Sequence, residues 1–200
     1  MKAIIISADD LKKSIPGYDP AKSDVVHRQS TKLADTLYAD MLKTSDYKEV
    51  ILMSGGGASG KTEFISAYLA DKPVIILDGT LPTFEGAKIK AKLARKYGKR
   101  VSVVAIWPRE LKIAFAAFLQ RDRKYPDKYF YKTHATSRKT LLDIAKSDLG
   151  LDIKLYENAY EKDGLVFYEY ILSSKQNLIE ELTDNQYTET EIMKIITDDR

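Results

Sequence analysis

The segment Gly55-Gly56-Gly57-Ala58-Ser59-Gly60-Lys61-Thr62 has the spacing GxxxxGK[ST], which a chain of this length and average composition contains by chance about 1% of the time. Glycines let the backbone curl until several amide hydrogens point inward, and a helix starting at Lys61 adds about half a positive charge, so the pattern suits a chain of phosphates. In that setting Lys61 reaches the β- and γ-phosphates and the Thr62 hydroxyl ligates magnesium. ATP and Mg are the expected cofactors.

Three further groups of residues could act on a phosphate held there. Asp78-Gly79-Thr80 ends an apolar run, so Asp78 and Thr80 emerge where ligands bind in open α/β sheets, Asp78 on magnesium or on an acceptor and Thr80 on the acceptor. Asp9 and Asp10 stand in the same relation to the first apolar run; an N-cap of the turn around Leu11-Lys12-Lys13 is the structural alternative. Arg121, Arg123 and Arg138 lie in a basic stretch of weak apolar periodicity, 121–138, expected to be a mobile segment that closes over the donor and neutralises the moving phosphoryl group. His134 is expected to be structural or phosphate-contacting and His27 a surface residue. Tyr125, Tyr129, Phe130 and Tyr131 are expected to pack that irregular segment.

These residues need a scaffold, and the apolar pattern supplies one. Residues 2–6, 49–53, 73–77 and 101–106 are short, β-branched runs that read as strands buried on both faces. Helical spacing marks Leu33, Ala34, Leu37, Tyr38, Met41 and Leu42, then 61–70, 84–97 and 109–120. Strand alternating with helix implies an α/β fold, a P-loop NTPase-like parallel sheet flanked by helices. Residues 152–156 and 165–171 flank a turn at Asp163-Gly164 and read as an edge hairpin. Two C-terminal helices follow at 175–183 and 188–197, the second announced by Thr188-Glu189-Thr190-Glu191. Residues 1–173 form the expected P-loop kinase-like domain, with 174–200 a helical tail packed on or appended to it.

The net charge of +3 conceals three unlike segments. Residues 1–85 carry 10 Lys and Arg against 12 Asp and Glu, residues 86–139 carry 16 against 3, and residues 140–200 carry 6 against 14. The basic middle attracts phosphate of some kind. In it the run Lys88 to Arg100 reads mostly as a solvated face. Cysteine is absent and histidine occurs twice, which excludes thiol chemistry and disulfides and leaves oxygen ligands for any metal. No apolar run reaches the roughly 20 residues of a membrane span, so a cytoplasmic location without membrane contact is expected.

Taken together, these pieces resemble the zeta-toxin family of P-loop kinases. Val74–Tyr168 follows the second half of the family in order: a strand ending in Asp78-Gly79-Thr80, a helix, a strand ending near Trp107-Pro108, the arginine segment, then 153–158 and 164–168. Only eleven residues separate Thr62 from Val74, too few for the strand-and-helix unit the family carries there. A unit of that kind stands at the N-terminus instead: Ile4-Ile5-Ile6-Ser7-Ala8-Asp9-Asp10-Leu11-Lys12, Pro16-Gly17-Tyr18-Asp19, and a helix through Ser30, Leu33, Ala34 and Leu37. The resemblance implies that Asp9 is the catalytic base, with Lys61 and Arg121 or Arg123 neutralising the phosphoryl group. It also implies a nucleotide-sugar acceptor such as UDP-N-acetylglucosamine, and an antitoxin protein as partner. Ser7 and Asp78 replace the acids more usual at their positions. The competing expectations are a nucleotide-binding partner or regulatory module without turnover and a nucleic-acid-end kinase, nucleic acid being the less expected ligand.

Overall fold

The computed structural model describes residues 1–162 and 164–198, so Asp163 of the expected turn lies outside the described residues. Six strands form one sheet: β1 (Ile4–Ser7), β2 (Glu49–Ser54), β3 (Val74–Asp78), β4 (Arg100–Pro108), β5 (Asp152–Glu161) and β6 (Gly164–Glu169). Their order is β1-β3-β2-β4-β5-β6, parallel from β1 to β5, with β6 antiparallel at the edge. The helices are α1 (Ala8–Leu11), α2 (His27–Thr44), α3 (Lys61–Phe64), α4 (Phe84–Lys96), α5 (Leu111–Gln120), α6 (Asp127–Lys146), α7 (Lys175–Asp184) and α8 (Glu189–Thr197). This is a P-loop NTPase-like α/β fold.

The two faces of the sheet are covered unequally. Val101, Val103, Ala105 and Trp107 of β4 point one way with Ile6, Leu52 and Ile75, into a core closed by α2, α4, α6 and α7. Ala87, Ala91 and Ala94 bring α4 down on that face, all three inaccessible to solvent; side chains this small allow close approach without voids. Val104 and Ile106 point the other way with Met53, Val74 and Ile76, against Phe64, Ile65 and Leu69. The last two belong to a π-helical turn, Ile65–Leu69, that continues α3. A third cluster joins Leu111, Phe115 and Phe118 of α5 to Phe130 of α6 and to Ile192 and Ile196 of α8.

All six strands and the helices at 33–42, 84–97 and 109–120 stand where the pattern put them. The region expected to be mobile differs, since residues 127–146 form a 20-residue helix and only Arg121–Pro126 is irregular. Nine of its positions are buried and recur at helical spacing, but five of them, Thr133, His134, Ser137, Arg138 and Thr140, are polar. An apolar count therefore misses the periodicity.

The tail is joined to this core. α8 opens on a capping box between Thr188 and Glu191, and Leu182 of α7 is fully buried in the main core. Leu182→Ala should cost about 3 kcal/mol by cavity formation, read as a lower urea midpoint in a single transition. Met193→Ala, at a side chain 42% exposed, should change stability by less than about 0.5 kcal/mol. A small effect of Leu182→Ala would make the tail an appendage.

Candidate active site

The glycine-rich loop leaves β2 at Ser54 and enters α3 at Lys61. Gly60 adopts φ +82°, and a Cβ there would lie 2.4 Å from Asn158 Nδ2; one on Gly56 would lie 2.2 Å from the His134 ring. The loop is thus pressed against its support, and only hydrogen fits at either position. That support also makes hydrogen bonds. Gly57 N–H donates to Thr133 Oγ1 at 3.0 Å, His134 Nε2 meets Gly57 O at 2.9 Å, and Asn158 Nδ2 donates to Ser59 O at 2.6 Å. A carbonyl only accepts, so Nε2 carries the proton. Burial drives the His134 imidazole down to about 3, and its hydrogen bond to Gly57 opposes that only in part. The ring is therefore neutral at physiological pH, a structural brace.

Lys61 Nζ donates to Gly55 O and Gly56 O, both at 2.8 Å, and to Ser59 Oγ at 3.1 Å. Burial lowers its ammonium to about 8, against the pull of Asp78. Asp78 sits at the carboxyl end of β3, directly opposite Ser7 of β1. Burial raises its carboxyl, and Lys61 opposes the rise. Ser7 caps α1 by accepting from Asp10 N–H at 3.3 Å. That cap turns the chain at the end of β1 and places Asp9 over the same end of the sheet.

Asp9 is the most heavily engaged of these acids. Its Oδ1 accepts from Lys12 Nζ at 2.9 Å and from Tyr125 Oη at 3.2 Å, and its Oδ2 faces Arg123 Nη1 at 3.5 Å. Burial pushes the carboxyl up, but Arg123 and Lys12 together outweigh it and hold Asp9 below the ordinary carboxylate value. Arg121 stands close enough to contribute as well; burial and the neighbouring Arg123 lower its own value.

Asp9, Lys61, Thr62, Asp78, Thr80, Arg121 and Arg123 line one cleft of about 880 Å³, together with Gly57, Ala58 and Ser59 of the loop. Two non-glycine residues there, Ala58 (φ +57°) and Leu81 (φ +50°), take left-handed backbone, a conformation that surrounding structure has to hold. Arg138 stands apart. It is buried between Trp107 (4.1 Å) and Tyr187 (5.2 Å) and donates to Asn185 O at 3.0 Å, where it pins α7 to α6. His27, expected at the surface, is half-buried and lines the cleft with its ring edge-on to Tyr125 and Tyr129. The basic run is dispersed: Lys90 pairs with Asp35, Arg100 with Glu49, and Lys99 is buried.

Sequence reasoning missed Lys12, Tyr125 and Asn158, and left the purpose of His134 open. Each acts through a partner more than 75 positions away or through burial, except the local Lys12–Asp9 pair, whose i,i+3 spacing was visible. The brace yields a pH prediction. The folded His134 value lies below the unfolded value of about 6.5, so the unfolded state binds the extra proton and stability is lost as pH falls below about 6.5. From pH 7 to 5 the loss due to this residue should be about 2 kcal/mol by chemical denaturation, and His134→Gln should remove it. An equal loss in the variant would assign it elsewhere.

No family model and no curated protein matches the sequence. Among solved structures the fold is similar to a chain of the native AvrRxo1-ORF1:-ORF2 complex, with a TM-score of 0.50 and 14% identity over 85% of this chain and 75% of that one. A structure of the same complex with sulphate ions gives 0.50 and 12% over 84% and 74%. A chain from the PezAT chromosomal toxin-antitoxin system of Streptococcus pneumoniae gives 0.46 and 15% over 98% and 74%. At these identities the likeness to the first two is one of fold.

Proposed function

We propose that the chain is an ATP- and magnesium-dependent kinase that phosphorylates a hydroxyl of a small acceptor, in the manner of zeta toxins, with a nucleotide sugar such as UDP-N-acetylglucosamine as the acceptor. The observation that carries this reading is the convergence of a phosphate loop, two carboxylates and two arginines on one cleft. The loop fits a triphosphate because its backbone is curled and braced from behind, leaving Lys61 and the start of α3 toward the cleft. Magnesium is a hard ion that takes oxygen donors, and the Thr62 hydroxyl and the Asp78 carboxylate both line the cleft beside the loop. Thr62 and Asp78 would hold it together with phosphate, and its part is to neutralise charge on the phosphates.

The acceptor oxygen bonds to the γ-phosphorus as the bond to the β-phosphate oxygen breaks, ADP leaves, and the hydroxyl proton passes to Asp9. A carboxylate held below its ordinary value is a weak base, which suits a loose transition state where the proton leaves late and positioning supplies most of the rate. Lys61 and Arg121 or Arg123 balance charge on the moving group. Thr80 holds the acceptor, which is the alternative role of Asp78. An antitoxin partner and a cytoplasmic setting belong to the same reading.

The test is incubation with ATP, magnesium and a panel of sugar nucleotides, with mass detection of a product about 80 Da heavier. Lys61→Ala should abolish ATP binding or turnover with the fold retained. Asp9→Asn should keep ATP binding and reduce transfer at least about a hundredfold. Binding without transfer to any acceptor would favour a nucleotide-binding module.

Lys61 also sets a pH dependence. Its value near 8 without ligand rises when phosphates surround it, so binding above pH 8 takes up a proton and the Kd for ATP should grow with pH, by up to about tenfold per unit. Calorimetry at pH 8.5 in buffers of different ionisation enthalpy should register the uptake. Lys61→Arg, charged throughout, should abolish it.

A further inference from the structure

Lys12 is fully buried, and each of its three donors has a partner: Asp9 Oδ1 at 2.9 Å, Ser23 Oγ at 3.1 Å and the Tyr125 hydroxyl. These partners belong to three separate pieces of chain. Asp9 follows β1, Ser23 closes the loop before α2, and Tyr125 lies in the irregular stretch between α5 and α6. A buried ammonium is costly unless fully satisfied, so Lys12 holds the three pieces to one geometry.

Tyr125 completes the junction. Its hydroxyl accepts from Lys12 and donates to Asp9, its ring lies 4.5 Å from Lys12 Nζ, and it stacks on Tyr129 at 4.3 Å. Two neighbours bind the same surface: Arg123 faces Asp9, and Lys124 N–H donates to Pro20 O at 2.9 Å. Residues 121–125 thus cross from the phosphate-loop side of the cleft to the N-terminal side. The hydroxyl of one tyrosine touches both the carboxylate and the lysine that orients it.

We propose that Lys12 and Tyr125 are positioning residues that latch the segment Arg121–Tyr125 onto Asp9, bringing base and arginines into register only when the segment is docked. This rests on the kinase reading for its catalytic consequence but not for the latch itself. With the tyrosine hydroxyl in place, Oδ1 holds two donors while Oδ2 faces Arg123 alone, so Oδ2 is the oxygen with a lone pair left for an incoming hydroxyl proton. With the segment undocked, Asp9 loses two of its three cationic or hydroxyl partners and the arginines leave the cleft together.

Tyr125→Phe removes the hydroxyl and keeps the ring packing. Arg121, Arg123 and Lys124 are trypsin sites within the docked stretch, so native-state cleavage followed by fragment masses reports docking without any need for activity. The variant should be cut there at least about tenfold faster than the parent, the scale of a hydrogen bond to a charged group. In transfer from ATP to UDP-N-acetylglucosamine its kcat should fall about tenfold with the KM for ATP within about twofold. Lys12→Met should reproduce the faster cleavage, and if that variant fails to fold, Tyr125→Phe alone decides. Unchanged cleavage in Tyr125→Phe overturns the latch. Faster cleavage with unchanged kcat in an active enzyme overturns the positioning role. If the parent transfers no phosphoryl group, the kinase reading is at fault, and the cleavage rates still decide the latch.

Discussion

The glycine-rich loop has backbone groups to satisfy, the Gly57 N–H as well as the carbonyls of Gly57 and Ser59, and in this protein that demand organises the molecule. The outward side of Gly57 is met by Thr133 and His134, two consecutive residues of α6, and Ser59 O is met by Asn158 of β5. α6 must therefore sit at a set depth against the loop. The polar side chains along its buried face follow from this, because they answer backbone groups or neighbouring segments as well as the core. α7 and α8 hold the helix in place from outside, through the Arg138 contacts and through Ile192 and Ile196. The tail thus supports the phosphate loop through one intervening layer.

Charges in the cleft alternate in a way that keeps each tolerable. Lys61 stands with Asp78, Asp9 with Lys12 and Arg123, and Arg121 near both sets. Burial opposes the charge on each of these groups; Arg123 and Lys12 hold Asp9 below its ordinary value all the same, and Lys61 is brought down to about 8. Such a site is preorganised for charge that moves, since its dipoles and ions need little rearrangement during transfer.

Much of this arrangement was legible in the chain. Short apolar runs alternating with helical spacing implied a parallel sheet, and the acids just past two of those runs, Asp9 and Asp78, were expected where ligands bind in such sheets. The capping box at Thr188 was legible because its signal is local. What escaped was nonlocal or polar. Tyr125 reaches Asp9 across 116 positions, Asn158 reaches Ser59 across 99, and α6 hides its period because Thr133, His134, Ser137 and Arg138 occupy core positions. The π-helical turn after α3 has no residue signature at all. Its Ile65 and Leu69 are buried in the cluster on the second face of the sheet.

The position of β1 carries a consequence for how the cleft is assembled. This four-residue strand is at the sheet's edge, paired only to β3, so that Ile4 meets Ile75 about seventy positions along the chain. Loop closure over that span costs entropy before any contact repays it, and contacts of high sequence separation form slowly. β2 and β3 pair across a much shorter connection, Glu49 meeting Val74, but the glycine-rich loop that leaves β2 is braced by Thr133, His134 and Asn158 from still farther along the chain. The loop and the Asp9 carboxylate therefore both rest on long-range contacts, and neither side of the cleft is complete until distant parts of the chain have met.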